Sequence, residues 1–516
     1  MTRTQLDPNY LIGVVGSGAM GRGIAQVAAE GGYTVRLMDA NPGVAEEARG
    51  FITKLLNRKV EKGKLEESQR DDILARIMLG DTLESLADCD LVIEAVVEKL
   101  EIKQQIFRDL EQTCRPDTIL ASNTSALPIA AIGATCENRG RIAGMHFMNP
   151  VPLMKLVEVI HTPLTSPNVL DVLVEVGQQM GKTAIRVKDG PAFLAGNCAR
   201  ALYTEALRFR QENIAAPEVI DRIVRDAGGF RMGPFELMDM IGLDVNYPGT
   251  KSLFEDVFFD PRYRPTPEAR LLTEAGLLGR KSGQGFYRYD NNAAVIEPEV
   301  PVSTELPHEV WLWGHDQAAQ DKLQALATDA NVTVQVGDSP SDTAIAIVAP
   351  MGEDASTTAA RMGLNPERTV AVDTLYGWET RRTVMAPPGA DPQVMDQAMA
   401  LLGSDGVAVS RINDSPAFVM PRLQAVITNL ACDLCQQAVG TPEDVDLAMR
   451  LGFNFPEGPL AAGDRLGRGV TLALIQALHD FYGDDRYRPS PWLRRRQMLG
   501  LSLKTAERRE SSSPLT

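Results

Sequence analysis

The feature that most constrains the fold is a glycine-rich turn between an apolar strand and a helix. Leu11–Val15 is a short apolar run with β-branched residues, which predicts a buried strand. Gly16, Gly18 and Gly21 follow at once in the GxGxxG spacing. The next segment, Arg22–Glu30, is rich in helix-forming residues. Such a turn lets backbone N–H groups approach a pyrophosphate, and the helix dipole adds to the attraction. The pattern predicts a βαβ unit that binds a dinucleotide.

An ordinary glycine turn can have the same spacing. The residues after this helix distinguish a dinucleotide-binding turn from it. Tyr33–Met38 predicts a second strand, and Asp39 ends it, about 20 residues beyond the fingerprint. A carboxylate at this position meets the ribose hydroxyls of a dinucleotide and repels a 2′-phosphate. The sequence therefore favours NAD over NADP.

Composition limits the other classes of function. A chain of 516 residues is too long for one ordinary core, so two to four domains are expected. The net charge of −16 argues against non-specific binding to nucleic acid or to an anionic membrane. No apolar stretch reaches the roughly 18 residues of a membrane span, and Met1–Pro8 has no apolar signal core. We therefore expect a cytoplasmic location.

Cysteine usage predicts neither a disulfide framework nor a metal site. The chain has six cysteines, and Cys432 and Cys435 are the only close pair. This pair lies in a predicted helix, and no second pair completes a zinc site.

Residues 44–78 are long, charged and helix-favouring, with a break at Gly63, and predict a helical hairpin inserted into the βαβ pattern. The hairpin is locally basic and contains Lys54 and Lys62. A solvated helix face explains this charge as well as a dock for a phosphate-bearing substrate does.

Four further strands continue the first domain, and polar residues follow their ends. The predicted strands are Cys89–Val97, Thr118–Ser122, Arg141–His146 and Lys155–Ile160. Their alternation with helices predicts an α/β fold with a doubly wound, mainly parallel sheet. Ligands of such sheets bind beyond the carboxyl ends of the strands. We therefore expect Glu98, Ser125 and His146 at one rim.

The rest of the chain contains an internal repeat. Asp414–Phe418 repeats Asp189–Phe193, 225 residues earlier, and Pro442–Asp446 repeats Pro217–Asp221 at the same offset. Such ordered matches indicate a duplicated helical domain. The predicted domains are a Rossmann-like domain with the hairpin (1–188), a helical domain (189–290), a linker (291–308), a small degenerate α/β domain (309–410) and a second, non-catalytic helical copy (411–510).

His146 is the best candidate for a general base because it alone, of five histidines, ends a strand at the predicted rim. Glu158 shares a strand face with Leu156 and Ile160, so a buried face would leave its carboxylate in need of a partner. A carboxylate that bonds one imidazole nitrogen stabilises the imidazolium formed at the other. A backbone group or an arginine could hold Glu158 instead. Ser125 and Asn149 could hold a substrate oxygen, or could be ordinary turn residues.

Four segments together resemble one family, the L-3-hydroxyacyl-CoA dehydrogenases. They are Gly16–Gly21, Ile93–Glu98, Ser122–Ser125 and His146–Glu158. Residues 1–290 cover the whole catalytic unit of this family. The remainder resembles the extension of its long bacterial form, the 3-hydroxybutyryl- or 3-hydroxyadipyl-CoA dehydrogenases of phenylacetate breakdown. The resemblance implies NAD-dependent oxidation of a (3S)-hydroxyacyl-CoA to a 3-ketoacyl-CoA. A dehydrogenase that does not use CoA, and a non-catalytic NAD-binding protein, are the alternatives.

The resemblance also implies roles for individual residues. His146 would be the general base and Glu158 its orienting partner, with Ser125 and Asn197 completing the catalytic set. The implied cofactor contacts are Gly16, Gly18, Ala19, Met20, Gly21, Asp39, Glu98, Lys103, Asn123, Ser125 and Asn149. Lys54 and Lys62 would belong to the CoA site.

One position departs from the family pattern, which has Pro-Gly-Phe-x-x-Asn. Here the run is Pro191-Ala-Phe-Leu-Ala-Gly196-Asn197, so Gly196 takes the position of the family's asparagine. A shift of one residue turns a helical side chain by about 100°. Either the start of the helix is adjusted to present Asn197, or the contact is lost, and we expect Asn197 to replace it.

The partners implied are an acyl-CoA substrate and, in the pathway, other acyl-CoA enzymes, with no nucleic acid and no membrane. The chain is expected to be a monomer or a homodimer. The second helical copy could pack where a partner's copy would.

Overall fold

The computed structural model describes residues 10–299, 301–467 and 469–507. The predicted absence of a signal core in Met1–Pro8 and the end of the last predicted domain, residues 508–510, lie outside the described residues. In the described part of the chain, no helix has the length and apolarity needed to cross a membrane. The described residues form two compact units, 10–197 with 437–453 and 506–507, and 198–436 with 454–505.

The first unit is built on an eight-stranded sheet. Its strands are β1 (Leu11–Val15), β2 (Thr34–Met38), β3 (Ile77–Gly80), β4 (Leu91–Glu94), β5 (Ile119–Ser122), β6 (Ile142–Phe147), β7 (Leu156–His161) and β8 (Thr183–Lys188). They are arranged in the order β3-β2-β1-β4-β5-β6-β7-β8, and only the β6–β7 pair is antiparallel. This is the predicted doubly wound, mainly parallel sheet. Two of its strands, β3 and β8, were not expected from the sequence.

Helices cover this sheet. They are α1 (Ala19–Glu30), α2 (Val44–Glu61), α3 (Glu67–Ala75), α4 (Leu100–Thr113), α5 (Ile129–Ile132) and α6 (Pro167–Gln179). The pair α2–α3 is the predicted hairpin, but it ends before Ile77, because Ile77–Gly80 pairs with β2 as a strand. α2 buries Ala48, Ile52 and Leu56, which recur every four residues on one face.

Five helices follow in the first helical copy. They are α7 (Ala195–Gln211), α8 (Pro217–Asp226), α9 (Pro234–Ile241), α10 (Leu243–Asp256) and α11 (Pro267–Glu274). A short antiparallel hairpin comes next, formed by β9 (Arg288–Asp290) and β10 (Ala293–Val295). β10 lies in the segment that the sequence assigns to a linker.

The second half repeats this plan in reduced form. Its sheet has six strands, namely β11 (Glu309–Gly314), β12 (Thr333–Val334), β13 (Ile345–Ala349), β14 (Thr369–Val372), β15 (Arg381–Met385) and β16 (Ala408–Arg411). Three helices lie among these strands, namely α12 (Gln317–Asp329), α13 (Ala355–Met362) and α14 (Pro392–Leu402). The second helical copy comprises α15 (Met420–Gln436), α16 (Pro442–Gly452), α17 (Pro459–Arg465), α18 (Val470–Tyr482) and α19 (Pro491–Leu499).

The helix α16 belongs to the first unit although it lies in the second half of the chain. It packs against β8 and against β7, the strand that carries Glu158. Val445, Ala448 and Met449 are buried on this helix. The catalytic candidates and one segment of the second helical copy therefore share one compact unit.

Candidate active site

The glycine turn has the geometry of a phosphate cradle. Gly16 has a φ of +94°, and its N–H donates to the Met38 carbonyl at 2.8 Å. A Cβ on Gly21 would lie 1.7 Å from the Gly16 carbonyl oxygen, so only glycine allows α1 to start this close to the turn. A Cβ on Gly18 would meet no atom within 4 Å. Gly18 thus faces the open side of the turn, where the first N–H groups of α1 have no side-chain cap.

Two further groups at this turn fit a dinucleotide. Asp39 accepts from the Ser17 N–H at 2.8 Å and from the Asn41 N–H at 3.0 Å, so its carboxylate is held beside the turn. The Ser17 hydroxyl oxygen is buried and has no hydrogen-bond partner among the described residues. A ligand that carries acceptor oxygens would satisfy this hydroxyl and the free N–H groups of α1. Ala19 and Met20 lie in the first turn of α1.

His146 and Glu158 face each other across the only antiparallel pair of the first sheet. The register of β6 and β7 places them directly opposite, and His146 Nδ1 lies 2.7 Å from Glu158 Oε2. Glu158 is fully buried, and its Oε1 accepts from the N–H groups of Leu194 and Ala195 at 3.1 and 2.9 Å. Both carboxylate oxygens are therefore occupied, which offsets the cost of burying the charge.

The imidazole of His146 is oriented by this contact. With Nδ1–H donating to Glu158, the lone pair is on Nε2. The structure gives Nε2 no hydrogen-bond partner among the described residues, and the side chain is 11% exposed. The Phe193 ring, with its centroid 5.6 Å from that of the imidazole, packs beside it. A histidine held in this way can accept a proton at Nε2 while Glu158 stabilises the resulting cation.

A second charged cluster lies at the ends of β4 and β5. Lys103 is buried and bridges Glu94 Oε1 at 2.7 Å and Glu98 Oε2 at 3.2 Å. Burial raises the pKa of Glu98, but the hydrogen bond from Thr124 and the charge of Lys103 outweigh it, so the net shift is downward. Glu98 Oε1 also accepts from the Ser125 N–H at 3.1 Å. Glu98 is thus ionised near neutral pH and ties the loop after β5 to the end of β4.

Sequence reasoning missed two members of this cluster, Glu94 and Ser122. Ser122 Oγ donates to Glu94 Oε2 at 2.7 Å, so both oxygens of that buried carboxylate have partners. The sequence contained a pattern that indicates Glu94, because this charged residue ends the apolar run of β4. The same argument that singled out Glu158 applies to it.

The structure distributes the other predicted residues around these two clusters. Ser125 is exposed just beyond β5. Asn123 is buried, and its Oδ1 accepts from the Phe147 N–H at 2.9 Å, next to His146 in β6. Lys103 points into the Glu94–Glu98 pair, so its ammonium is engaged within the protein. Asn149 follows β6 and is exposed.

The two candidates for the family's asparagine position differ in their surroundings. The Asn197 side chain is buried and donates to the Pro191 carbonyl at 3.2 Å, across the turn that enters α7. A Cβ on Gly196 would meet only Ala192 Cβ, at 3.4 Å. Gly196 therefore faces open space, and Asn197 faces the turn.

A cavity of about 540 Å³ lies between α1, α2 and the loop that follows β6. Its apolar wall includes Phe51, Leu55 and Val151, and its basic side is formed by Arg22, Arg58, Lys59, Lys62 and Lys64. Asn149 also lines it. Lys62 is thus part of this cavity, whereas Lys54 is exposed on α2 and is not among the lining residues. An apolar wall facing several cations suits a ligand with both a ring system and phosphates.

Comparison with known proteins identifies relatives over most of the chain. The family model for the NAD-binding domain of 3-hydroxyacyl-CoA dehydrogenase matches residues 11–190. The model for the C-terminal domain of the same enzymes matches twice, at residues 193–289 and 418–508. The two matches correspond to the duplicated helical copies.

Individual relatives fall into a long and a short form. The 3-hydroxyadipyl-CoA dehydrogenase of Escherichia coli K12 is 36% identical and aligns over 95% of this chain and 97% of its own length. A probable 3-hydroxybutyryl-CoA dehydrogenase of Bacillus subtilis is 42% identical over 98% of its own length, which covers 54% of this chain. The crystal structure of a 3-hydroxybutyryl-CoA dehydrogenase from Escherichia coli K12 superposes with a TM-score of 0.84, at 36% identity, over 96% of this chain and 99% of that one.

Proposed function

The chain belongs to the 3-hydroxyacyl-CoA dehydrogenase family, and we propose that it oxidises a (3S)-hydroxyacyl-CoA to the 3-ketoacyl-CoA with NAD⁺. The observation that carries this proposal is the His146–Glu158 pair, with one nitrogen of the imidazole held and the other available. Oxidation of a secondary alcohol needs a base for the hydroxyl proton, and this pair supplies it.

The cofactor site proposed for NAD is the turn Gly16–Gly21 together with Asp39. The open face of Gly18 and the uncapped N–H groups at Ala19 and Met20 would hold the pyrophosphate. Asp39 would meet the adenosine ribose and disfavour a 2′-phosphate by charge repulsion. On the nicotinamide side we place Glu98, Lys103, Asn123, Ser125 and Asn149, with Lys103 acting through Glu98.

The chemistry assigned to the protein is proton transfer and positioning. NAD⁺, when bound, supplies the acceptor for the hydride that leaves C3 of the substrate. His146 Nε2 takes the hydroxyl proton as the C3–O bond becomes a carbonyl, and Glu158 stabilises the imidazolium. Ser125 would hold the substrate oxygen. Asn197 donates to the Pro191 carbonyl, so its proposed role is to shape the turn that enters α7.

The CoA portion of the substrate is proposed to occupy the basic cavity beside α2. Lys62 lines it, and Lys54, one turn before Arg58, would approach from the rim. Phosphates of CoA would meet the cations, and the adenine would contact the apolar wall. The names of the long relatives favour a short-chain or dicarboxylic acyl group, such as 3-hydroxybutyryl or 3-hydroxyadipyl.

The test is an NADH oxidation assay with acetoacetyl-CoA and with a dicarboxylic 3-ketoacyl-CoA. The unaltered protein should turn over, with NADPH a poorer donor than NADH. His146→Gln should lower kcat by about 10²- to 10⁴-fold, the usual contribution of a general base. Substrate and NADH binding should change little.

His161→Gln is the matched control, because His161 is the last residue of β7 and lies outside the pair. It should keep kcat within about twofold of the unaltered protein, since no general-base contribution is lost. Full activity of His146→Gln would overturn the proposed mechanism. Turnover of other alcohols with no response to CoA esters would overturn the substrate class, and NADH binding without turnover would overturn the assignment as an enzyme.

A further inference from the structure

The second helical copy contributes one segment to the unit that contains the His146–Glu158 pair. Residues 437–453, which include α16, belong to this unit, whereas the rest of the second copy belongs to the other. The segment is attached at the end of β8, where the Lys188 N–H donates to the Val439 carbonyl at 2.9 Å. From there α16 runs across β7 and β8.

Two glycines allow this segment to approach the supports of Glu158 closely. A Cβ on Gly440 would lie 2.7 Å from Leu194 Cδ2. A Cβ on Gly452, the last residue of α16, would lie 2.8 Å from Leu156 Cδ2 and 3.8 Å from Ala195 Cβ. Neither position has room for a side chain unless a neighbour moves.

Two of the residues touched in this way, Leu194 and Ala195, hold the carboxylate. Leu194 and Ala195 donate both N–H groups that reach Glu158 Oε1. Leu156 precedes Glu158 by two residues in β7, so the two side chains share one face of the strand. The segment therefore packs against both the turn before α7 and the strand β7, the two elements that meet at Glu158.

We propose that residues 437–453 are a positioning element for Glu158, and that the second helical copy takes part in catalysis through this contact. Gly440 and Gly452 are its positioning residues. This inference rests on the proposed role of His146 and Glu158. Displacing Leu194, Ala195 or Leu156 would move the carboxylate that orients the imidazole, and misplacement by about 1 Å at a reacting group can cost about 10²-fold in rate.

The duplication provides a matched control. The contact of the segment with β8 has a counterpart in the other unit, where the Asn413 N–H donates to the Ile214 carbonyl at 2.8 Å. Asn413 lies 225 positions after Lys188, and Ile214 lies 225 positions before Val439, so the two bonds join equivalent residues of the repeat. Ala227 is the counterpart of Gly452, and it packs against Gly377, far in sequence from any site residue. Ala227→Val therefore enlarges the side chain at the position equivalent to Gly452, but at a contact that has no histidine–glutamate pair beside it.

The experiment compares Gly452→Val with Ala227→Val in the full chain, with acetoacetyl-CoA and NADH as substrates. Gly452→Val should lower kcat by about 10- to 100-fold, with little change in the Kd of NADH. Ala227→Val should keep kcat within about twofold, although both substitutions crowd a close contact and lower the melting temperature. Gly452→Ala and Gly440→Ala, the smallest additions, serve if Gly452→Val does not fold.

A double-mutant cycle with Glu158→Gln separates positioning from a merely structural role. If Gly452 acts through Glu158, Gly452→Val should have little further effect on kcat once Glu158 is Gln. Equal losses in both backgrounds, or an unchanged kcat in Gly452→Val, would overturn the inference while leaving the proposed function intact. An unaltered chain without 3-ketoacyl-CoA activity would instead overturn the proposed function.

Discussion

At the scale of single residues, the turn that enters α7 carries backbone strain. Ala192 and Phe193 both have left-handed backbones, with φ of +51° and +54°. The second copy has the same conformation at Ala417 and Phe418, with φ of +60° and +53°. The family places glycine at the first of these positions, and glycine adopts this conformation without the steric cost of a Cβ. The duplicated turn thus keeps a strained alanine in both copies.

Ala192→Gly should stabilise the protein, because the left-handed conformation costs a non-glycine residue about 1–2 kcal/mol. Part of this gain is lost to the greater entropy of the unfolded glycine, so we expect a net gain of about 0.5–1 kcal/mol. Thermal unfolding measures the effect, and Ala417→Gly should behave alike. Ala199→Gly, in the second turn of α7, is the opposite control and should destabilise. A loss of stability in Ala192→Gly would contradict the explanation by strain.

At the scale of elements, the two sheets have one plan. The second sheet has the order β12-β11-β13-β14-β15-β16, which is the first order without β3 and β6. β14 and β15 are antiparallel, as expected if the strand between their counterparts β5 and β7 is deleted. The deleted strand is the one that carries His146. Thr383 in β15 stands at the repeat position of Glu158, so the second half has neither member of the pair.

Much of this plan could be predicted from the sequence, and the reasons for the misses are physical. The glycine turn, six of the eight strands of the first sheet and the helical repeat have local sequence patterns that can be recognised without the structure. β3 has only four residues and an exposed Met78, so its periodicity does not separate it from the end of a helix. The N–H groups of Leu194 and Ala195 that reach Glu158 come from a segment more than 30 residues further along the chain, and the ion pair of Lys103 with Glu94 joins a helix to the preceding strand. Pattern alone does not reveal such contacts, nor that α16 packs beside β7. The domain bounds and the residue roles drawn from the sequence stay predictions.

The end of β14 offers a test at this scale. Asp373 directly follows β14, as Asn123 directly follows β5. It is buried, and Oδ1 accepts from the N–H groups of Leu375 and Tyr376, while Oδ2 has no partner among the described residues. Burial raises the pKa of Asp373 from 3.8 to about 7. The folded state therefore binds a proton that the unfolded state releases, and this group's contribution to stability falls as pH rises from about 4 to about 7.

Asp373→Asn should remove this loss, since an amide keeps the acceptor at Oδ1 and carries no charge. The variant should unfold at a higher temperature than the unaltered protein at about pH 8, and the difference should vanish near pH 4. At about 1.4 kcal/mol per pKa unit, the gain above pH 7 is roughly 2–4 kcal/mol. Asp396→Asn, on the exposed side of α14, controls for the loss of one charge. An equal effect of Asp373→Asn at both pH values would contradict the assignment.

At the scale of the whole molecule, the two helical copies contact each other as the subunits of a symmetric dimer do. Phe230 and Phe455 are repeat equivalents, 225 positions apart, and their rings meet edge to face at 4.9 Å. The turns Pro261–Tyr263 and Asp485–Tyr487, also equivalents, pack against each other. Contact between equivalent residues marks a two-fold axis, and here it lies inside one chain, within the second unit.

The internal axis predicts a monomer. The short relatives align with 54% of this chain over nearly their whole length and have one helical copy in that alignment. In this chain the second copy contacts the first through equivalent residues, as a second subunit would in a symmetric dimer. Sedimentation equilibrium should therefore give a mass of 56.2 kDa, the mass of one chain. Phe230→Asp should lower the melting temperature, because a buried charge replaces the ring contact, without producing a larger species. A stable species of twice the chain mass would contradict the inference that contact between the two helical copies replaces contact between subunits.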